Sequence, residues 1–166
     1  MNDILAHDIL VAPGSSDATK IYLAGPMTGY PKFNFPLFDQ VAAELRAMAS
    51  PNFPIEVVSP AELDDPKSRA AALQSEWGDP EEYARLTGLS WADFLSRDVK
   101  LIADGGFNAI VALPGWRNSR GARLETFVGH LCGIYTHEYT EGLITKVSID
   151  DLGWVWTGEV RVYPSS

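Results

Sequence analysis

The pattern of apolar and polar positions along the chain switches between two periods. Short apolar runs recur at Lys20–Ala24, Ile55–Val58 and Asn108–Leu113, each closed by Gly or Pro, and such runs predict buried β-strands. Between them apolar residues return every three or four positions. Phe38, Val41, Leu45 and Met48 predict a helix from about Pro36 to Met48, with Pro36 in a first turn where its missing N–H costs nothing. Ser90 caps a second helix reaching about Ala103. A third, Arg120 to Cys132, is ended by Gly133. Ile134 to His137 opens a further strand, and Leu143–Ile149 and Trp154–Tyr163 read as β-rich, the latter alternating around Val155, Val160 and Val162. A weak strand, Ile9–Ala12, precedes the turn-rich run Pro13 to Asp17. From Asp64 to Gly88 the periodicity dissolves into charge, Ala, Gly and Pro, which fits short helices in a surface insertion or lid.

Buried strands alternating with amphipathic helices predict an α/β protein: a central parallel sheet covered on both faces, in one domain spanning 1–166. Ligands of such sheets bind in loops at the carboxyl ends of the strands. Two loops qualify here, Gly25 to Asn34 and Pro114 to Ser119.

Composition narrows the function. The chain is 166 residues long and carries 13 Lys plus Arg against 22 Asp plus Glu, a formal charge of −9. That balance opposes a polymeric nucleic-acid partner, whose phosphate track needs an extended basic face. No apolar run approaches the ~20 residues of a membrane span. Cys132 is the only cysteine, and the three histidines, His7, His130 and His137, show no metal-ligand spacing, so the expectation is no metal and no cofactor. Met1 to Ala6 lacks the basic start and apolar core of a signal peptide, which points to the cytoplasm.

Candidate chemistry lies in three places. Asp98 interrupts the apolar stripe of Trp91, Phe94, Leu95, Leu101 and Ile102, so it either pairs with a neighbouring arginine or lines a cavity. Asn118 and Ser119 stand where a helix begins, with Gly121 in its first turn and Arg117, Arg120 and Arg123 nearby. Free N–H groups and the positive end of the helix dipole make such a place an anion site, or Ser119 is an ordinary N-cap among surface arginines. Glu125, one turn further, can point back toward the helix start. Asp98 and Glu125 flank the same strand, so two carboxylates can meet over one pocket, dividing into acid and nucleophile as in glycoside cleavage. Tyr22, on the first convincing strand, could orient one of them.

Ile21-Tyr22-Leu23-Ala24-Gly25-Pro26-Met27-Thr28-Gly29, Asp98 on a helix, and Ser119-Arg120-Gly121-Ala122-Arg123-Leu124-Glu125 together resemble the nucleoside 2-deoxyribosyltransferase superfamily, particularly its phage-type members. The resemblance covers roughly residues 20–139. It leaves out the 64–88 insertion and a 140–166 extension expected to be β-rich. It implies a flavodoxin-like or Rossmann-like three-layer sandwich, Glu125 as the nucleophile on the sugar anomeric carbon, Tyr22 positioning it, and Asp98 handling the proton of the departing base. The family's nucleoside transferases carry aspartate six residues before the nucleophile; this chain has Ser119. The 2′-deoxynucleoside 5′-monophosphate N-hydrolases of the same superfamily are similar in having serine there. A carboxylate ~4 Å from a phosphate would cost about 4 kcal/mol at an effective dielectric of 20, and serine removes that repulsion. The resemblance therefore implies a small nucleotide substrate, with Gly25, Pro26, Met27, Thr28, Asn118, Ser119, Arg120 and Gly121 binding it. It also implies a homodimer or higher homo-oligomer whose sites borrow a partner residue, with His137, Tyr139, Trp154 and Trp156 as the candidates. Base exchange between nucleosides and non-catalytic nucleotide sensing are the alternatives.

Overall fold

The computed structural model describes residues 18–158. A five-stranded sheet is built from β1 (Thr19–Ala24), β2 (Ile55–Val58), β3 (Ala109–Ala112), β4 (Tyr135–Thr140) and β5 (Leu143–Lys146) in the order β2-β1-β3-β4-β5. The first four strands run parallel, with Tyr22 opposite Val58 on one side and Ile110 on the other. β5 is antiparallel to β4 and closes the sheet edge. The turn between them passes through Glu141 and Gly142, both at positive φ, as a tight hairpin requires. The sheet is thus parallel at its centre, as expected, with one antiparallel strand at its edge.

The order of strands dictates the layers. From β1 the chain steps outward to β2, then crosses back over β1 to β3 and on to β4. Right-handed crossovers put the helix of the first step on one face and the helices of the later steps on the other. Accordingly α1 (Phe35–Ala47) packs Phe38, Val41, Ala42 and Leu45 against Ile21, Leu23, Val57 and Val111. On the opposite face α4 (Trp91–Asp104) and α5 (Arg120–Leu131) cover Tyr22, Ala24, Ile110 and Ala112. Period-two alternation along β1 therefore sends Tyr22 toward α4 and α5, whereas Ile21 and Leu23 point toward α1. The result is the three-layer α/β sandwich that the sequence pattern predicts.

The stretch from Asp64 to Gly88 forms two short helices, α2 (Pro66–Gln74), capped by the Asp65 side chain, and α3 (Pro80–Thr87), capped by Asp79. They do not hang off the fold as a detached lid. Gly78 accepts a backbone hydrogen bond from Gly29, Ser75 accepts one from Lys32, and the buried Tyr83 ring packs between Phe33 and Phe94. A side chain at Gly78 would collide with the Tyr30 and Met27 backbone, so that glycine permits the close approach.

The C-terminal part corrects one expectation. Residues Trp154 to Thr157 lie in α6 (Ile149–Thr157) and not in a strand. Ser148 caps this helix, Asp150 and Asp151 sit in its first turn, and Leu152, Val155 and Trp156 form a stripe at helical spacing against α5 and the sheet. Long-range packing outweighed the β-propensity of the Trp-Val-Trp run. The expected strand residues from 159 to 163, and the weak strand Ile9–Ala12, lie outside the described residues.

Candidate active site

Order reversal in the sheet falls between β1 and β3, and in sheets of this kind ligands bind at the carboxyl ends of the strands at such a switch point. Three side chains converge on one face of the sheet there. Tyr22 Oη donates a buried hydrogen bond of 2.9 Å to Glu125 Oε1. Asp98, from α4, is close enough that its charge acts on both. All three are buried.

Local sequence explains this convergence. On α5, Ala122, Glu125, Thr126 and Gly129 form one face, and that face is buried. A Cβ at Gly129 would lie 2.3 Å from Ile110 Cδ1, so the glycine seats the helix directly on β3 and turns Glu125, four residues earlier, toward the sheet. On α4 the Ser90–Asp93 capping box fixes the start, and Asp98 lies on the buried face one turn before Ile102.

Electrostatics follow from burial. Glu125 is pushed up to about 8, chiefly by desolvation and then by the Asp98 charge, against the Tyr22 hydrogen bond and the Arg97 charge, which favour the anion. Burial also raises Asp98, while the hydrogen bond and charge of Arg97 restrain the rise. Tyr22 stays a neutral donor, because burial and the two carboxylates hold its phenol well above its ordinary range. At neutral pH the carboxyl pair retains one proton, held mainly by Glu125, and the two titrate as a coupled pair.

Above this cluster, Ser119 caps α5, its Oγ accepting from the Ala122 N–H at 3.3 Å. Its hydroxyl proton and the N–H groups of Arg120 and Gly121 meet no partner among the described residues. Among the described residues outside the helix backbone, the nearest atom to a Cβ placed on Gly121 is Ser119 Oγ, 3.9 Å away. Arg120 lies with its guanidinium 5.0 Å from the Trp91 ring centre, bridging the starts of α5 and α4.

Other expected binding residues divide. Gly25 answers to packing, since a Cβ there would press on Leu113 and Phe38. Pro26 is buried and accepts from Asn34 Nδ2, whereas Met27 is half-buried and Thr28 and Asn118 are exposed. Two of the three arginines expected beside the helix start are turned elsewhere. Arg117 pairs with Glu138 and stacks on Trp116. Arg123 is buried and donates to the carbonyls of Trp156 and Gly158 at the end of α6, which accounts for it structurally. Among the candidate partner-site residues, Tyr139 donates to Glu44 on the α1 face, Trp156 donates to Thr126, and His137 is buried in β4. Trp154 is the exposed one, at 79%.

Sequence reasoning missed Arg97 as a named residue and gave Asp64 no role beyond the start of the insertion. Arg97 Nε donates to Asp98 Oδ1 at 2.8 Å, and Nη1 donates to Asp64 Oδ1 at 2.7 Å. The expectation that Asp98 pairs with an arginine is met by the geometry. The signal for Arg97 was its adjacency to a carboxylate on an apolar stripe. For Asp64 no local signal exists.

Among the described residues no group of three His, Cys, Asp or Glu side chains is arranged to hold a metal ion, and no helix is long and apolar enough to cross a membrane. A family model described as "Domain of unknown function (DUF4406)" matches residues 80–136, a stretch that carries Asp98 and Glu125 and leaves out Tyr22 and Asp64. No curated protein and no solved structure matches the chain.

Proposed function

We propose that the protein cleaves the base–sugar bond of a 2′-deoxynucleoside 5′-monophosphate by hydrolysis, through a covalent intermediate on Glu125. The observation that carries this is the buried Tyr22–Glu125 hydrogen bond with Asp98 beside it, on the face of the sheet where the strand order reverses. Binding alone has no use for a buried carboxyl pair that shares a proton, whereas glycosidic cleavage needs a nucleophile and an acid at one point.

In the reactive arrangement the shared proton sits on Asp98 and Glu125 is the carboxylate, held in place by the Tyr22 hydroxyl. Glu125 attacks the anomeric carbon from the face opposite the base. The carbon–nitrogen bond breaks through an oxocarbenium-like transition state, and the electron pair leaves with the base, which takes the Asp98 proton. Water then attacks the same carbon and gives a proton back to Asp98, and the ester bond to Glu125 breaks with its electron pair returning to the carboxylate. Nucleotide and water become free base and sugar phosphate, and the pair regains its single proton.

Ser119, the N–H groups of Arg120 and Gly121, and the Arg120 guanidinium supply the donors for a 5′-phosphate. A helical glycine whose nearest neighbour among the described residues is the Ser119 hydroxyl, at 3.9 Å, supports this reading, because alanine would serve a helix better unless the space is used. One monophosphate at one helix start is compatible with the −9 charge, which opposes only an extended phosphate track. A cytoplasmic, homo-oligomeric enzyme without metal or cofactor fits this chemistry.

Chromatography of incubations with each deoxynucleoside and deoxynucleoside monophosphate, with and without an acceptor base, tests the proposal. Expected is free base from at least one monophosphate without acceptor, lost in Glu125→Gln while nucleotide binding persists. Release only in the presence of an acceptor base would point to a transferase. Binding without release from any substrate would point to a nucleotide sensor.

A further inference from the structure

Arg97 and Asp98 are neighbours on α4, and neighbouring helical side chains diverge by about 100° and do not face each other. Their direct hydrogen bond is therefore not one that the helix makes unaided. The guanidinium is turned across by what holds its other end. Nη1 donates to Asp64 Oδ1 at 2.7 Å, and the Asp64 side chain is only 5% exposed. The second Asp64 oxygen accepts from the Tyr83 hydroxyl, and the Tyr83 ring is wedged between Phe33 and Phe94, with centroid distances of 4.9 and 5.4 Å. Phe94 also lies under the Arg97 guanidinium, 5.3 Å from its centre. Asp64 and Tyr83 both belong to the insertion. They lock Arg97, Arg97 holds Asp98 Oδ1, and Asp98 Oδ2 is left without a partner among the described residues.

We propose that Asp64, contributed by the insertion, is a positioning residue that acts through Arg97 to hold Asp98 in the orientation from which it exchanges a proton with the substrate. The role given to Asp98 rests on the hydrolase proposed above. The groups facing Asp98 are Arg97 on its own helix, Asp64 on the insertion, Glu125 on α5 and Tyr22 on β1. Only Arg97 is cationic, so its placement decides how the carboxyl pair shares its proton. The insertion thereby becomes a wall of the site, and its length and sequence bear on catalysis as well as on which base is admitted.

Asp64→Asn separates positioning from simple charge removal. If Asp64 acted only by its charge, removing it would lower the Asp98 pKa, because a neighbouring negative charge raises it. If Asp64 holds Arg97 in place, the variant frees the guanidinium, and the Asp98 pKa rises. The two measurements are the Asp98 carboxyl titration, by carbon NMR of aspartate-labelled protein, and kcat and KM against pH with the monophosphate that releases base fastest. Expected for Asp64→Asn are an upward shift of the Asp98 titration, a kcat lower by about tenfold or more, and a KM within about threefold of wild type. Tyr83→Phe, which keeps the ring packing, should move both in the same direction by less, and Asp64→Glu should recover part of the loss. An Asp98 titration that stays or falls in a folded Asp64→Asn protein, with kcat within about twofold, would overturn the proposal. If wild-type protein releases no base while the titration still shifts upward, the hydrolase reading fails and the Asp64 lock stands.

Discussion

Two groups of paired charges occupy opposite faces of the sheet and behave differently. On the α1 face Arg46 makes a two-pronged pair with Glu62, at 2.8 and 2.7 Å, and Arg69 pairs with Asp39. Each cation there has one carboxylate, and both members are partly in water. On the α4–α5 face one guanidinium, Arg97, serves three carboxyl groups, Asp64, Asp98 and Glu125, with the Tyr22 phenol beside them. The outer pairs are balanced, and each is worth at most about 1 kcal/mol. The inner group is not balanced, so one carboxyl must keep its proton at neutral pH. A fold selected only for stability would fill that space with apolar side chains. Surplus buried acid on this face is therefore the clearest mark of chemistry in the molecule.

Breaking the inner group at Glu125 should have the largest effect. Glu125→Gln removes the nucleophile, and base release should fall by at least about a thousandfold in a single-turnover assay. The same group makes stability pH-dependent. Folding raises Glu125 from an ordinary 4.5 to about 8, so the folded state holds the proton more tightly than the unfolded chain. The stabilisation from that proton is complete below pH ~4.5 and is lost as pH rises to about 8, by about 1.4 kcal/mol for each unit in between. Melting curves of wild type against Glu125→Gln should show the variant gaining on wild type across this window, and equal slopes would place Glu125 in water. Base release should likewise decline above pH ~8, where the pair loses the proton that the departing base needs.

Smaller effects sharpen the contrast. Tyr22→Phe keeps the ring packed against Phe107 and deletes only the hydroxyl, so kcat should drop about ten- to a hundredfold, and the buried Glu125 oxygen left without its donor should cost about 1–3 kcal/mol of stability. Gly121→Ala should stabilise the fold by about 0.5 kcal/mol and weaken use of a monophosphate more than use of the matching nucleoside. Arg46→Ala, on the outer face, should cost about 1 kcal/mol in denaturant unfolding, including its hydrogen bond to the Val57 carbonyl, and leave catalysis untouched.

Much of the fold was legible along the chain because its signals are local. Continuous apolar runs marked β1, β2 and β3, Ser90 marked the start of α4, and Gly133 marked the end of α5. Where local signals conflict, the chain misleads. Trp154 to Thr157 carries strand-forming residues, yet the Ser148 cap and the stripe of Leu152, Val155 and Trp156 fix it as helix. Arg117 and Arg123 lie close in sequence to Ser119, but helical geometry turns them toward Glu138 and toward the end of α6.

By itself the sequence determined which side chains were available and which faces they would share. Alternation along β1 put Tyr22 opposite Ile21 and Leu23, and helical spacing put Asp98 on an apolar stripe and Glu125 about a turn past a helix start. Tertiary structure alone decided that these faces meet. Strand order 2-1-3-4-5 brings β1 beside β3 under α4 and α5, and the insertion folds back so that Asp64 reaches Arg97 from 33 positions away. Proton sharing in the carboxyl pair was decided there too, because a pKa depends on the burial and the charges that surround a group. Neither exists until the chain has closed around it.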